Sequence, residues 1–271
     1  DTPPSEVLIV DDGDLDRDYI ERHKKKFSEA NIGLVYYKKD HQKERRGLSE
    51  SKNKGLELAS QDIVFFFDDD IILDEPDFFT KIMAVWEGNK NDKLMGVGGL
   101  IKGSRKKSKP EKLFNIVFGL TSKHSWDINR IGFQAWDESI KEPQKAYYVH
   151  GGVSSYNKKL AREILFSTFS GGRTGLEDVD FCLQAKNKGC HFIIEPNAKV
   201  IHNHVKTSKE KDFLIGQKES KNRKEIFKAH CEKSPANVLL FIWGNLGWIT
   251  RQFLAGNFRK GMGMMKGLIT K

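Results

Sequence analysis

The sequence is poor in cysteine and lacks long apolar runs. Three cysteines are present among 271 residues, Cys182, Cys190 and Cys231, and their spacing matches no metal-binding pattern. We therefore expect no disulfide framework, but buried or free thiols in a reducing compartment. No run of 18 or more apolar residues occurs, and a helix needs about that many to cross a bilayer. The sequence therefore predicts no membrane-spanning helix.

The first 204 residues carry no net charge of either sign. They contain 32 Lys and Arg residues against 32 Asp and Glu residues, whereas residues 205–271 contain 14 against 5. The whole formal charge of +9 therefore comes from residues 205–271, which we treat as a separate basic tail after a domain at 1–204. No recognisable nucleic-acid-binding module is present, so no nucleic-acid partner is expected.

Strands and helices are predicted to alternate between residues 6 and 101. The predicted strands are 6–10, 33–37 and 63–67, and the predicted helices are 15–30, 49–59 with Ser49 as its cap, and a segment that begins near Pro76. This alternation is typical of an α/β protein with a mainly parallel sheet, which binds ligands at the carboxyl ends of its strands. Strand 63–67 is apolar enough to be central, and residues 102–112 predict an exposed basic loop.

Three consecutive carboxylates, Asp68, Asp69 and Asp70, follow strand 63–67 directly. Like charges this close raise one another's pKa, so a cation should compensate them. Oxygen ligands favour hard ions such as Mg²⁺ or Mn²⁺, and Asp68 and Asp70 point to the same side of an extended segment. The alternative is that the three residues form an acidic cap on the following helix.

Two further polar segments have weaker signals. Glu177 and Asp178 open a predicted helix after the glycine-rich turn 170–175, where a carboxylate can act as a general base. Acidic residues are also common at ordinary helix starts. His202 and His204 follow a predicted strand and project from the same side of an extended chain, so they could complete a metal site. Ordinary surface histidines are the alternative.

The order and spacing of these segments resemble the family 2 glycosyltransferases of the GT-A fold over roughly residues 3–204. The resemblance implies a Rossmann-like, mainly parallel sheet flanked by helices, with residues 205–271 as a C-terminal helical appendage. The matching segments are EVLIVDDG at 6–13, GLSESKNKG at 47–55, FFFDDD at 65–70, GG at 151–152, GLEDVD at 175–180, EP at 195–196 and HNH at 202–204.

The resemblance also implies a role for each matched residue. Asp11 or Asp12 would recognise the base and ribose of a nucleotide-sugar, and Lys52 would lie near the phosphates, where the family often has an arginine. A lysine there weakens a bidentate phosphate contact. Asp68 and Asp70 would be the DxD pair, which binds the donor and the metal. The donor-binding set implied in this way is Asp11, Asp12, Lys52, Asp68, Asp69, Gly151 and Gly152.

Catalysis would rest on the other matched positions. Asp178 would be the catalytic base, and Glu177 would orient the acceptor or support that base. Asp70 would bind Mn²⁺ or Mg²⁺ together with His202 or His204, between which the spacing does not choose. The implied reaction is inverting transfer from a nucleotide-sugar, most simply a UDP-sugar, to a glycan or lipid-linked acceptor in cell-surface polysaccharide or glycolipid synthesis. A noncatalytic nucleotide-sugar-binding or scaffolding protein is the alternative.

The two ends of the sequence raise separate expectations. Family members usually have one more βα unit before the EVLIVDDG strand, so we expect either a fragment or an omitted upstream start, with one wall of the nucleotide pocket missing.

Residues 208–271 alternate apolar and cationic segments and contain Trp243 and Trp248, which predicts helices in an anionic membrane interface. Helices that pack on the catalytic domain or form a dimer contact are the alternative. The predicted location is the cytoplasm, with peripheral attachment to the inner face of the cell membrane left open.

Overall fold

The computed structural model describes residues 3–103, 107–168, 175–203 and 212–270. The first half alternates strands and helices as predicted. Its elements are β1 (Glu6–Asp11), α1 (Arg17–Glu29), β2 (Gly33–Lys38), α2 (Leu48–Leu58), β3 (Ile63–Phe67), β4 (Ile71–Ile72), α3 (Phe78–Gly88) and β5 (Leu94–Ile101). The turn between β3 and β4 contains the three consecutive aspartates.

The second half contains shorter strands and longer helices. Its elements are α4 (Lys109–Val117), β6 (Asp127–Ile128), β7 (Gln134–Ala135), β8 (Gln144–Ala146), β9 (Val153–Asn157), α5 (Lys158–Arg162), α6 (Glu177–Asn187), β10 (His191–His202), α7 (Asp212–His230), α8 (Pro235–Leu254) and α9 (Phe258–Ile269). All three cysteines are free thiols, as predicted.

The central sheet has the order β3-β9-β5-β10-β4, and β8 also pairs with β10. Strands β5 and β10 run parallel, as do β1 and β2 in a separate pair. Strand β9 runs antiparallel to both of its neighbours, so strand directions in the central sheet are mixed. Strand β3 was predicted to be central but is the end strand of the described sheet. Its apolar character instead reflects packing on both faces, with Phe65 and Phe67 against α3 and Phe66 against Tyr156.

The core lies on both sides of this sheet, and strand β5 is buried along almost its whole length. Two glycines of β5 permit this packing. A Cβ at Gly96 would lie 2.5 Å from the carbonyl oxygen of Ser155, and one at Gly99 would lie 2.6 Å from that of Ala198. Neither position can hold a side chain while the neighbouring strands keep their places.

Two local expectations from the sequence were wrong. Residues 109–112 belong to α4 rather than to a basic loop, because Ser108 and Glu111 form a capping box and Pro110 lies in the first turn. Residues 104–106 of the predicted loop lie outside the described residues. Helix α2 is capped by Gly47 rather than by Ser49, since the backbone there has a φ of 148°, which favours glycine.

Helix α7 packs on the preceding part of the chain. Nε2 of His230 lies 2.7 Å from Oδ1 of the buried Asp180 in α6. The guanidinium of Arg223 donates to the carbonyl oxygen of Gly132 at 2.9 Å and lies 4.1 Å from the ring centroid of Phe133. A shared apolar cluster joins residues from both sides of position 204, namely Leu120, Ile131, Phe133, Phe227 and Phe241. These contacts of α7 agree with the alternative that helices of the tail pack on the catalytic domain.

Helices α8 and α9 leave apolar side chains exposed. The exposed set on these helices is Val238, Leu239, Ile242, Trp243, Leu246, Leu254, Phe258, Met262, Met265 and Ile269. None of the described helices combines the length and the apolar character that crossing a bilayer requires.

Candidate active site

The two acidic segments at 68–70 and 177–178 meet across Gly151 and Gly152. A Cβ at Gly152 would lie 2.2 Å from Oδ2 of Asp68, and one at Gly151 would lie 3.0 Å from Cβ of Asp178. The Gly151 Cβ would also lie 2.9 Å from Nζ of Lys52. Because the two glycines are consecutive, the structure brings Lys52, Asp68 and Asp178 into one site. Any side chain at the two glycine positions would displace these groups.

Asp68, Asp70 and His202 form a group that could hold a metal ion. Each offers one ligand atom, and the three atoms lie within 4.8 Å of one another. Strand register produces this arrangement: Ile71 pairs with His202, and the amide of Asn203 donates to the carbonyl oxygen of Asp70 at 2.8 Å. Nε2 of His202 consequently lies 3.0 Å from Oδ1 of Asp70. His204 lies outside the described residues.

The chemistry of this group fits a divalent cation. Two carboxylates and one imidazole suit Mn²⁺, and Mg²⁺ also accepts oxygen ligands. Burial raises the pKa of Asp68, and the nearby Glu177 and Asp70 add to this effect, while Lys52 opposes it. A bound cation would favour the ionised form of Asp68. Asp69, between the two ligand candidates, is exposed.

Lys52 connects the two acidic segments. Its side chain is buried, its Nζ lies 3.0 Å from Oε1 of Glu177, and the ammonium lies 5.2 Å from the ring centroid of Phe166. The positive charge lowers the pKa of Asp68 and of Asp178. Lys52 therefore neutralises part of the negative charge that the site concentrates.

Asp178 has the environment of a general base. Its Oδ2 accepts a hydrogen bond from the hydroxyl of Tyr148 at 2.9 Å, and its Oδ1 accepts one from the amide of Val179 at 2.8 Å. Burial and the charge of Glu177 raise the pKa of Asp178, against the opposing effects of Lys52, His150 and Tyr148. Its side chain nevertheless remains partly exposed. A carboxylate whose pKa is raised holds a proton more readily than an ordinary aspartate does.

The turn that orients Glu177 and Asp178 is conformationally unusual. Leu176, the N-cap of α6, has a φ of 74°, a left-handed conformation that leucine rarely adopts. Such a residue costs about 1–3 kcal/mol and persists where the surrounding structure enforces it. The side chain of Leu176 is buried in the main core, which supplies that enforcement.

Tyr148 and His150 lie in the candidate site, and the sequence reasoning did not identify them. The hydroxyl of Tyr148 bridges Asp178 and Nδ1 of His150, the latter at 3.3 Å, and Oε1 of Glu138 lies 3.8 Å from Nε2 of His150. Both residues lie between β8 and β9, and His150 directly precedes Gly151. Residues two apart on an extended segment share a face, so an aromatic and a histidine just before the glycine pair were the available signal.

Asp11 and Asp12 differ in how their carboxylates are used. Asp11 is buried and accepts hydrogen bonds from the amides of Gly13 and Leu15 and from the hydroxyl of Tyr36. Burial opposes its ionisation, but these hydrogen bonds together hold the pKa of Asp11 below its usual range.

Asp12, in contrast, has a third of its side chain exposed. Its Oδ1 lies 2.6 Å from Nζ of Lys39, and its Oδ2 accepts from the amide of Gly47 at 2.9 Å. Of the two residues, Asp12 has the carboxylate that a ligand can reach.

A separate cavity of about 520 Å³ lies beside α2, lined by Lys39, Glu44, Arg45, Glu50, Asn53, Lys54, Glu57, Arg162, Leu165 and Thr168. None of the residues of the two acidic segments lines it. This cavity is therefore distinct from the carboxylate site at Gly151 and Gly152.

Comparison with solved structures shows the fold. The mannosyltransferase PcManGT from Pyrobaculum calidifontis, in complex with GDP-Man and Mn²⁺, matches with a TM-score of 0.51 and 15% identity over 97% of this chain and 70% of that chain. GalNAc-T7 with UDP, GalNAc and Mn²⁺ matches with a TM-score of 0.55 and 13% identity over 94% of this chain and 52% of that chain. The predicted GT-A fold, with its flanking and C-terminal helices, is therefore confirmed.

Sequence comparison supplies one curated relative and a family. The glucosyl-dolichyl phosphate glucuronosyltransferase of Haloferax volcanii (strain ATCC 29605) is 26% identical over 218 residues, which cover 78% of this chain and 63% of that protein. This chain therefore spans less than two thirds of that relative's length. The family described as Glycosyl transferase family 2 matches residues 1–165, which is more than half of the chain. The chain belongs to glycosyl transferase family 2, as the sequence motifs predicted.

Proposed function

We propose that this chain is an inverting glycosyltransferase that passes a sugar from a nucleotide-sugar to an acceptor hydroxyl. The observation that carries the proposal is the convergence of Asp178 with Asp68, Asp70 and His202 across Gly151 and Gly152. A general base and a cation-binding group adjoin in this arrangement, and the reaction needs both.

The donor would lie along the carboxyl ends of β1 and β3. Asp12, whose carboxylate is accessible, would contact the base or ribose, while Asp11 holds the loop that carries it. Lys52 would contact the diphosphate, and Gly151 and Gly152 would let the donor approach the backbone closely. Asp68 would contribute to both donor and metal binding, and Asp69 would also bind the donor. A UDP-sugar remains the first candidate.

The metal would be held by Asp68, Asp70 and His202. A bound Mn²⁺ or Mg²⁺ would stabilise the negative charge that develops on the departing nucleoside diphosphate. His204 remains a second candidate ligand from the sequence.

The chemical step would be carried by Asp178. Its carboxylate accepts the proton of the acceptor hydroxyl while the hydroxyl oxygen forms a bond to the anomeric carbon of the sugar. The bond from that carbon to the diphosphate breaks on the opposite face, so the anomeric configuration inverts. Tyr148 holds Asp178 in place, and Glu177, paired with Lys52, orients the acceptor or supports the base.

A lipid-linked acceptor in glycolipid or cell-surface polysaccharide synthesis fits two observations better than a free glycan. The relative from Haloferax volcanii is named for a glucosyl-dolichyl phosphate substrate. The exposed apolar residues of α8 and α9, together with Arg251, Arg259 and Lys266, suit an anionic membrane surface. We therefore propose peripheral attachment to the inner face of the cell membrane.

The test is a transfer assay with Mn²⁺, a panel of nucleotide-sugars and a polyprenyl-phosphate-linked acceptor. We expect Asp178→Asn to lose at least about 100-fold in turnover, the lower range for general-base catalysis, and the product to have the inverted configuration by NMR. Asp62→Asn, at an exposed aspartate before β3, serves as the matched control and should keep full activity. Donor binding without turnover by the wild-type protein would favour the noncatalytic alternative.

A further inference from the structure

A row of aromatic rings leads away from the proposed base. The ring centroid of Tyr148, whose hydroxyl contacts Asp178, lies 6.0 Å from that of Trp136. The ring of His150 lies 5.4 Å from the same tryptophan. Trp136 is partly exposed, so its ring offers an acceptor an apolar surface next to the base.

A lysine in an unfavourable environment lies on this tryptophan. Nζ of Lys107 is 4.6 Å from the ring centroid of Trp136. Burial lowers the pKa of Lys107, and the next strongest effect is repulsion by Arg251, ahead of attraction by Asp137 and Glu111. Lys107 directly precedes Ser108, the N-cap of α4, and Arg251 contacts Glu111 in the first turn of that helix, so two cations lie at the same end of α4. An anion bound between them would relieve both costs.

The second cation is held loosely. Arg251 lies in the last turn of α8, with its guanidinium 5.5 Å from the ring centroid of Trp248 and 3.9 Å from Oε1 of Glu111. A pair at that distance leaves the planar donors of the guanidinium available to a phosphate, which they match in geometry.

Helices α4 and α8 run side by side from this cationic end. Arg251 meets Glu111 near the start of α4, and Nε1 of Trp243 donates to the carbonyl oxygen of Val117 at its end, 2.8 Å away. The two contacts make the helices antiparallel. Exposed apolar side chains along the pair include Leu113, Ile116, Val117, Ile242 and Leu246, while the exposed Lys109 and Lys112 lie in the first half of α4. Cations therefore lie at one end of an apolar surface.

We propose that Lys107, Trp136 and Arg251 bind the phosphate of a long-chain lipid phosphate that carries the acceptor hydroxyl. The lipid chain would lie on the exposed side of α4 and α8, and the hydroxyl would reach Asp178 past Trp136 and the partly exposed His150. This inference rests on the proposed glycosyltransferase function and names the acceptor class of the same site.

The experiment compares binding to phosphatidylcholine vesicles that contain a polyprenyl phosphate with binding to vesicles that contain the matching polyprenol. The proteins are the wild type, Lys107→Gln, Arg251→Gln and the control Lys123→Gln, which changes an exposed lysine in the loop after α4. We expect the wild type and the control to prefer the phosphate vesicles. In each of the other two variants, the preference for phosphate vesicles over polyprenol vesicles should fall about tenfold. This change corresponds to the free energy of one charge-assisted hydrogen bond.

Two further measurements separate the possible failures. Phosphatidylserine vesicles carry negative charge without a polyprenyl phosphate. If the variants lost binding to these vesicles equally, general attraction to a charged surface would replace the subsite as the explanation. Hydrolysis of the nucleotide-sugar by water in Mn²⁺ does not require the subsite, and the control Lys123→Gln should leave it unchanged. Absence of hydrolysis and transfer in the wild type would reject the proposed function. If hydrolysis is present and Lys107→Gln keeps its full phosphate preference, the subsite alone is rejected.

Discussion

The hydroxyl of Tyr148 donates a hydrogen bond to Oδ2 of Asp178 at 2.9 Å, from a buried position behind the site. Burial raises the pKa of Tyr148 well above its usual value, and the charge of Asp178 adds to the effect. The phenol therefore stays protonated and remains a donor throughout the physiological pH range. Its bond favours the ionised form of Asp178 and fixes the direction of the carboxylate.

Replacing Tyr148 by phenylalanine should therefore change the pH dependence of the enzyme. Loss of the hydrogen bond raises the pKa of Asp178 further, so the base becomes protonated at a higher pH. The acid limb of the pH–rate profile should move to higher pH. Turnover at neutral pH should fall about tenfold, which corresponds to the free energy of one hydrogen bond to a charged group. Tyr147→Phe, at the adjacent and partly exposed position, should leave the profile unchanged. An unshifted acid limb in Tyr148→Phe would show that another group titrates.

Adding a methyl group at Gly152 should damage metal binding. The new Cβ would lie 2.2 Å from Oδ2 of Asp68, so this carboxylate must move away from Asp70 and His202. We expect Gly152→Ala to weaken Mn²⁺ binding by at least about tenfold, the range for lost support of a metal ligand, measured by titration calorimetry. Gly88→Ala has no atom within 4 Å of the added Cβ and provides the control. Unchanged Mn²⁺ affinity in Gly152→Ala would exclude Asp68 as a ligand.

Breaking the Lys52–Glu177 pair should cost stability as well as activity. Lys52→Met leaves Glu177 without its partner at a largely buried site, for which about 3–5 kcal/mol of unfolding free energy is expected to be lost. The double variant Lys52→Met/Glu177→Leu should recover much of this loss in urea unfolding. Lys54→Met removes the partner of the more exposed Glu57 and should cost less than about 1 kcal/mol. If the losses of the single variants Lys52→Met and Glu177→Leu simply added up in the double variant, the pair would have no coupling.

Charge placed on the apolar side of α8 should release the protein from membranes. Leu239 and Ile242 are both exposed on this helix, so glutamates there are expected to be tolerated by the fold. Leu239→Glu/Ile242→Glu should float poorly with anionic liposomes while its thermal unfolding remains close to that of the wild type. Val35→Glu, at an exposed apolar residue of β2, is the matched control. Full flotation of the double variant would favour a protein contact for this surface.

The sequence predicted the acidic turn, the helix that begins at Glu177 and the α/β class because each of these has a local pattern, whereas the GT-A fold was implied by the resemblance to the family. FFFDDD combines a buried strand with carboxylates at its end, and GLEDVD places two acids after a flexible glycine. The alternation of apolar runs with helical spacing then fixed the class of fold.

Contacts set by distant segments could not be predicted in this way. The approach of His202 to Asp70 depends on the antiparallel register of β4 with β10, which spacing within HNH does not encode. Tyr148 reaches Asp178 only because the segment before β9 passes close to the start of α6. The capping box at Ser108 and Glu111 was visible in the sequence, but the surrounding lysines masked it.

The buried guanidinium of Arg223 bears on how this protein can be shortened. It lies between the rings of Phe133 and Trp248, and burial lowers its pKa to about 10. A chain that ends before α7 would expose Phe133, Ile131 and Leu120 to water and leave Asp180 without His230. Such a truncated protein is expected to lose its fold, so deletion would not test membrane attachment separately from catalysis, whereas point substitutions on the outer side of α8 would.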